Sequence, residues 1–589
     1  MQNLNVCSVL DSNVDSAQPT SNPNLNFNRR KFLGRAGAAL AATTIAPIAM
    51  SGQPSPSGGQ GQQTQPVSGN SRVLQAFELR VGLATAQALL PVSAHQTNGD
   101  QQTYPDGSAT YTKVIRQDSI GLVNPTAYAS FTKALNSGRP QDFENIIIGG
   151  TRTLNGPQGG LAFTLEGADS HTFGSQPSPG NQENLPVVPA PPSINSPAWG
   201  TELAELYWCS LLRDTAFTDY PTSPVAAAAS AELTSMPTYA GPRNSSGHVT
   251  PKLLFRGGFP GETVGPHISQ LLIVPSMFGA LPLTNQYVTY QSGLNYMLDP
   301  STFLQVQNGI DTGLVNQPDP TPRYLHNGRG LSSYTHVDVL YQAYFTSFVV
   351  MMGMGLPLNP GNLYTRSRTQ NGFDTLGGAD IAATLGEISA KALDVVWYQK
   401  WFVHLRPRPE SSGGIAYLTK TNQLGSLQAR LNSNFLNSQA LAASYAANNS
   451  WFLSQPFPEG SPAHPAYPTG HGTVGGACIT MLKFFFDGNA PIPSPVVPSS
   501  DGLALVPYTG ADASQITLNG ELNKLAHNIT FGHGLHGGIH WRSDSDSSMR
   551  LGEAFALSYL RDKVMTYNEP VTVHLTKLDG TTATISNQG

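Results

Sequence analysis

Charge is what this 589-residue chain has least of: Asp, Glu, Lys and Arg make up 12% of it, about half the usual share. The balance is a net −5, so there is no basic footprint for nucleic acid. With no global field to gather anions, any anion site has to be built locally from a few cations and backbone amides. Cysteine is scarce too, at Cys7, Cys209 and Cys478. No C-x-x-C pair occurs, which excludes a disulfide scaffold and a cysteine metal knuckle. Cys7 precedes an expected cleavage site, leaving at most one disulfide in the mature chain. Cys478 lies in the apolar run "GGACITMLKFFF", where a small buried thiol is expected. Internal repeats are absent at solenoid periods. Strand-like alternation is confined mainly to the end, where "TVHLTKLDGTTATIS" reads as a hairpin with an Asp-Gly turn.

Glycine (59) and proline (46) are plentiful, which implies long loops. Near the N-terminus "NRRKFLGRAGAALAATTIAPIAM" sets Arg29-Arg30 before Phe32-Leu33 and an Ala/Gly-rich run. This is the twin-arginine export pattern, and so rich in Ala and Gly it makes a poor membrane span. Residues 1–50 are therefore assigned to targeting and 51–72 to a Pro/Gly/Ser/Gln linker, with a periplasmic or secreted mature protein and no stable membrane span. From Val73 to the end at 589, amphipathic runs such as "ELAELYWCSLLRDTAF" and "GGADIAATLGEISAKALDVVWYQKWFVHL" predict a mainly α domain with long irregular connections.

Three stretches carry chemistry. In "WYQKWFVHLRPRPE", Lys400 closes a long helix and Arg408 follows in an Arg-Pro-Arg-Pro segment that cannot be helical. Together they make a fork for a tetrahedral oxyanion. In "HPAYPTGHGTVGG", Thr469, Gly470 and His471 stand at a loop-to-helix junction with unpaired amides and a favourable dipole. His471 can exchange a proton near neutral pH. In "NITFGHGLHGGIHWRSD", His533, His536 and His540 are spaced H-x2-H-x3-H. The spacing alone fits a metal site, an idle loop or one strip of a larger site. So much glycine makes a helix doubtful there. Asp544, four residues after His540, can fix its tautomer.

In this order the stretches resemble the anion site shared by vanadium-dependent haloperoxidases and related acid phosphatases. "LVNPTAYASFTKALNSG", "GPQGGLAFTLEGADS", "FRGGFPGETVGPHISQ" and "YLHNGRGLSSYTHVDVLYQAYF" extend the likeness to the bromoperoxidases of the red-algal and bacterial branch, over roughly residues 75 to 560. The resemblance implies two four-helix bundles with long irregular loops and a small C-terminal β-hairpin, the anion-site half spanning about 378–560. It implies vanadate as cofactor, His540 as its ligand and Asp544 behind it. Lys400, Arg408, Thr469 and the Gly470 amide match the oxyanion contacts, with threonine where the family usually has serine. His471 matches the acid–base histidine and Lys400 the group that polarises bound peroxide. His464 and Trp397 match positions near the halide. Hydrogen peroxide, bromide or iodide and an organic acceptor are the implied substrates, and a homo-oligomer the implied assembly.

One departure stands out. The family carries arginine six residues before the ligand histidine, and here that position is Gly534. The nearest substitute is His533, which needs one extra residue before His540, placed on this reading at Gly537-Gly538. Weaker vanadate binding, strengthening at lower pH, is the consequence. His536 is left as a loop histidine. Two other readings remain: an acid-phosphatase-like hydrolase with His540 as nucleophile, and an anion-site-impaired, non-catalytic paralogue.

Overall fold

The computed structural model describes residues 69–88, 94–120, 122–150, 187–423 and 430–588. The twin-arginine segment, most of the linker and the "GPQGGLAFTLEGADS" stretch lie outside them. The described chain opens on helix α1 (Gly69–Ala88), four residues ahead of Val73.

Two groups of four helices form the bulk. In the first, α2 (Pro197–Leu211), α3 (Pro224–Ser235), α4 (Pro409–Lys420) and α5 (Gln439–Asn448) enclose Leu203, Leu206, Leu233, Ile415 and Leu441. Three of these helices start on a serine cap whose side chain accepts an orphan amide: Ser196, Ser223 and Ser438, the signal expected of such ends. In the second, α6 (Gly378–Gln399), α7 (Gly470–Phe485), α8 (Leu518–Phe531) and α9 (Arg542–Val564) share a core of Ile381, Leu385, Val474, Leu482, Leu525 and Phe555. Cys209 and Cys478 are both free and buried.

Backbone proximity fixes the α7–α9 pair. A Cβ on Gly476 would lie 2.0 Å from the Met549 carbonyl, and one on Gly552 would lie 2.0 Å from that of Thr473. Only glycine permits this approach, and it brings the start of α7 against the start of α9. The C-terminal strands β1 (Thr572–Thr576) and β2 (Thr582–Ser586) form the expected hairpin, in register from Thr572↔Ser586 to Thr576↔Thr582. Among the described residues the four sheets are all two-stranded.

Two π turns interrupt the second bundle. One, Lys400–His404, ends α6 with Leu405 N donating to Lys400 O at 3.1 Å. The other, Gly532–His536, ends α8 with Gly537 N donating to Gly532 O at 3.0 Å. The histidine-rich stretch is thus helical up to His536 despite its glycines. It then turns at Gly538 (φ 68°) toward His540 and α9.

Candidate functional site

Each π turn delivers a charged or ring side chain to one place, as such turns often do. Lys400 is fully buried and donates to the carbonyls of Pro465 (2.9 Å) and Ala466 (3.3 Å). Arg408, held in extended backbone at the start of α4, is also buried. Its Nη1 donates to the Ile539 carbonyl at 2.9 Å and to His540 Nε2 at 2.8 Å. Its Nη2 donates to His464 Nδ1 at 3.0 Å and its Nε to the His464 carbonyl at 2.9 Å. Neither cation has a carboxylate within ion-pair distance among the described residues. Burial first, and then Arg408, holds the Lys400 ammonium well below its usual range, with Asp544 opposing. Burial pushes Arg408 down to about 10.

An arginine can only donate, so His540 Nε2 is the acceptor and carries the lone pair. The proton sits on Nδ1, which donates to Asp544 Oδ2 at 3.1 Å. Asp544 also accepts from the Trp541 amide at 3.1 Å and, on Oδ1, from Arg406 Nη1 at 2.6 Å. Arg406 continues to Glu202 Oε2 at 2.9 Å and lies over the rings of Trp199 and Trp541, 4.6 and 4.8 Å from their centres. Burial, then Arg408 and Lys400, keeps His540 well below ordinary imidazole values, so the ring is neutral at pH 7.

Thr469 caps α7. Its amide donates to Ser548 Oγ at 2.7 Å, and its own Oγ1 is buried without a partner among the described residues. The first-turn amides at Gly470 and His471 have no intrahelical acceptor. His471 Nε2 meets Asp338 Oδ1 at 3.1 Å, and its ring stacks on His533 at 3.9 Å. His533 faces His540 at 5.4 Å between ring centres, and its Nδ1 is buried without a partner among the described residues. Burial, then His471, His540 and Arg408, holds His533 well below 6.5, so in the free protein it is neutral. Trp397 packs on His464 at 4.8 Å. The residues singled out for the site are brought together; His536, left outside it, is fully buried on the far side of its π turn and not in a loop, Nδ1 3.1 Å from Cys209 Sγ.

The π turn Gly532–His536 holds one more residue than an α turn would. A Cβ at Gly534 would press 3.2 Å from His540 Cβ. Position 533 is the one whose side chain enters the site.

A curated relative, the vanadium-dependent bromoperoxidase of Ascophyllum nodosum, is 31% identical over 533 residues, covering 86% of this chain and 91% of that protein. This chain belongs to the vanadium-dependent haloperoxidases. The vanadium-dependent bromoperoxidase of Corallina pilulifera is 28% identical across 87% of the chain and 98% of its own length. The VCPO second helical-bundle domain matches residues 381–569. Among solved structures, the homohexameric second vanadate-dependent bromoperoxidase of Ascophyllum nodosum superposes with a TM-score of 0.81 at 26% identity, covering 93% of this chain and 95% of that one.

Sequence reading of this haloperoxidase missed Asp338, Arg406 and Glu202. Asp338 lies in the quoted "SYTHVDVL", and Arg406 in "LRPRPE". The signal was present as lone charges in a charge-poor chain, without anything to say what each would meet.

Proposed function

We propose that this haloperoxidase holds vanadate on His540 and uses hydrogen peroxide to oxidise bromide, or iodide, to a hypohalous species that halogenates organic acceptors. The carrying observation is the pair of buried cations, Lys400 and Arg408, set without a carboxylate beside the lone-pair nitrogen of His540. The fit to vanadate is supported by what is left over: Thr469 Oγ1 and His533 Nδ1 are buried without partners among the described residues, as donors awaiting oxyanion atoms would be. Vanadate, when bound, supplies a Lewis-acidic centre that activates peroxide with no change of oxidation state.

The protein supplies positive charge, orientation and proton transfer. His540 offers Nε2 as ligand, and Asp544, pinned by Arg406, keeps the Nδ1–H tautomer. Lys400, Arg408, the Thr469 hydroxyl and the Gly470 amide are the oxyanion contacts. With Nε2–H directed to Asp338, His471 keeps Nδ1 to take a proton from incoming peroxide and return it to the product. The half-buried pair Trp397 and His464 forms the halide side. A homohexameric relative supports a homo-oligomer, and Arg29-Arg30 supports twin-arginine export to the periplasm or beyond, with a mature domain beginning near residue 73. The test is steady-state bromination of a phenol by purified protein against vanadate, with bromide, iodide and chloride compared and an aryl phosphate as the phosphatase control. Saturable turnover that needs vanadate, peroxide and bromide supports the proposal. Hydrolysis of the aryl phosphate without halide turnover would replace it with the hydrolase, and neither activity with the impaired paralogue.

A further inference from the structure

On the other side of the Gly532–His536 turn lies a cavity of about 210 Å³ that shares no lining residue with the anion site. Its wall is aromatic: the rings of Phe217 and His267 stack at 3.8 Å, 3° from parallel, with Tyr220 and Tyr508 beside them. A dry cavity of about 150 Å³ suffices for benzene, so this one suits one or two fused rings. Mostly apolar lining with a few polar groups is the usual character of a small-molecule site.

Its charged lining groups are both cations, among neutral polar ones such as Thr218, Tyr220 and Tyr508. Lys252 is exposed at the rim. Arg256 is buried, and its Nη atoms donate only to backbone carbonyls: Gly265 at 3.2 Å, Glu262 at 2.6 Å, Val264 at 3.4 Å and Pro266 at 2.9 Å. Its Nε–H has no acceptor among the described residues. Glu521, Glu262 and Asp512 act on it through space, none of them in ion-pair contact. A buried guanidinium with one N–H left over beside a stacked aromatic wall suits a flat anion. Edge or face contact with rings contributes beyond buried area.

We infer that this cavity is a second binding site, separate from the halide-oxidising centre, for a planar aromatic carboxylate of one or two fused rings. The ring slots against Phe217 and His267, and the carboxylate faces the Lys252 and Arg256 side. Phe217 also packs on His536 at 5.5 Å, so the occupant sits one residue layer from the turn that carries His533.

The experiment is calorimetric and ligand-observed NMR titration of the vanadate-loaded protein with 1-naphthoate, 1-naphthalenemethanol and acetate. One 1-naphthoate per chain is expected, with acetate not binding measurably. Lys252→Gln should weaken 1-naphthoate about 2- to 5-fold, the size of an exposed charge contact, and leave 1-naphthalenemethanol unchanged. Val497→Trp, which fills the cavity from its lining, should abolish binding of both while bromination turnover stays at the wild-type level. If Val497→Trp fails to fold, Thr218→Trp at the exposed rim serves in its place. The inference is overturned if 1-naphthoate does not bind, or if it binds the tryptophan variant as it binds wild type.

Discussion

Replacing His533 by arginine tests how the site manages without its family's third cation. In the free protein His533 is a neutral ring stacked on His471 and turned to His540. Arginine there adds a permanent charge beside Lys400 and Arg408, at a position whose present side chain contacts no carboxylate among the described residues. An uncompensated buried charge destabilises on the order of 3 kcal/mol, so vanadate-free His533→Arg should melt below wild type. With vanadate bound, the same charge gains a charge-assisted contact of about 1.5–3 kcal/mol, a 10- to 150-fold lower Kd. The two effects have opposite signs in one variant. At one hundred times Kd, ligand adds about 2.7 kcal/mol of stability, so a thermal scan with and without vanadate reads both. Protonation supplies an independent check. An anion raises the pKa of a facing imidazole, so wild type takes up a proton as it binds and its affinity rises as pH falls toward the free-state His533 pKa. Arginine removes that slope, and the two binding curves should converge at low pH. Equilibrium dialysis from pH 5 to 9, with His533→Asn to cancel the titration of vanadate itself, measures it. Equal Kd for wild type and His533→Arg at every pH would refute the placement of residue 533 against the bound anion.

Other perturbations have equally definite outcomes. Asp338→Asn should leave vanadate affinity within a few-fold and lower kcat by about 10²-fold or more, because it removes the negative charge that faces His471, the group proposed to transfer the proton; saturation kinetics separate the two. Asp544→Asn leaves Arg406 paired only with Glu202 and frees the His540 tautomer, so a loss of about 3–5 kcal/mol in urea unfolding is expected, together with weaker vanadate binding. His527, between Glu262 and Asp546, is raised to about 9 against burial, chiefly by Glu262. A raised folded pKa stabilises fully below the unfolded value near 6.5 and fades as pH climbs to 9. Across pH 6 to 9.5 wild type should therefore lose on the order of 3 kcal/mol that His527→Gln does not lose. Gly476→Ala, with its Cβ 2.0 Å from Met549 O, should cost about 1–3 kcal/mol or more by forcing α7 from α9, read as a lower urea midpoint.

Much of the site could be read from the chain because its parts are local. A lysine at a helix end, an arginine locked between prolines and a glycine at a helix start announce their chemistry by backbone context alone. The resemblance then ordered them around His540. What escaped was pairing across the fold. Asp338 meets His471 over 133 residues and Arg406 meets Asp544 over 138; such contacts are set by bundle packing, which no local pattern encodes. The second π turn escaped for another reason: glycine content argues against helix at Gly532–His536, where Gly532 packs against Leu331 and His536 is buried. The mainly α class, the long helix before Lys400 and the terminal hairpin were legible because hydrophobic period and turn residues agree there.

The most direct test of the account is equilibrium binding of orthovanadate to the vanadate-free protein and to His540→Ala, with Lys400→Met/Arg408→Met as the charge control. One vanadate per wild-type chain is predicted, with binding lost in His540→Ala and strongly weakened in the double variant. Binding to His540→Ala as tight as to wild type would contradict the claim that His540 is the ligand around which this site is built.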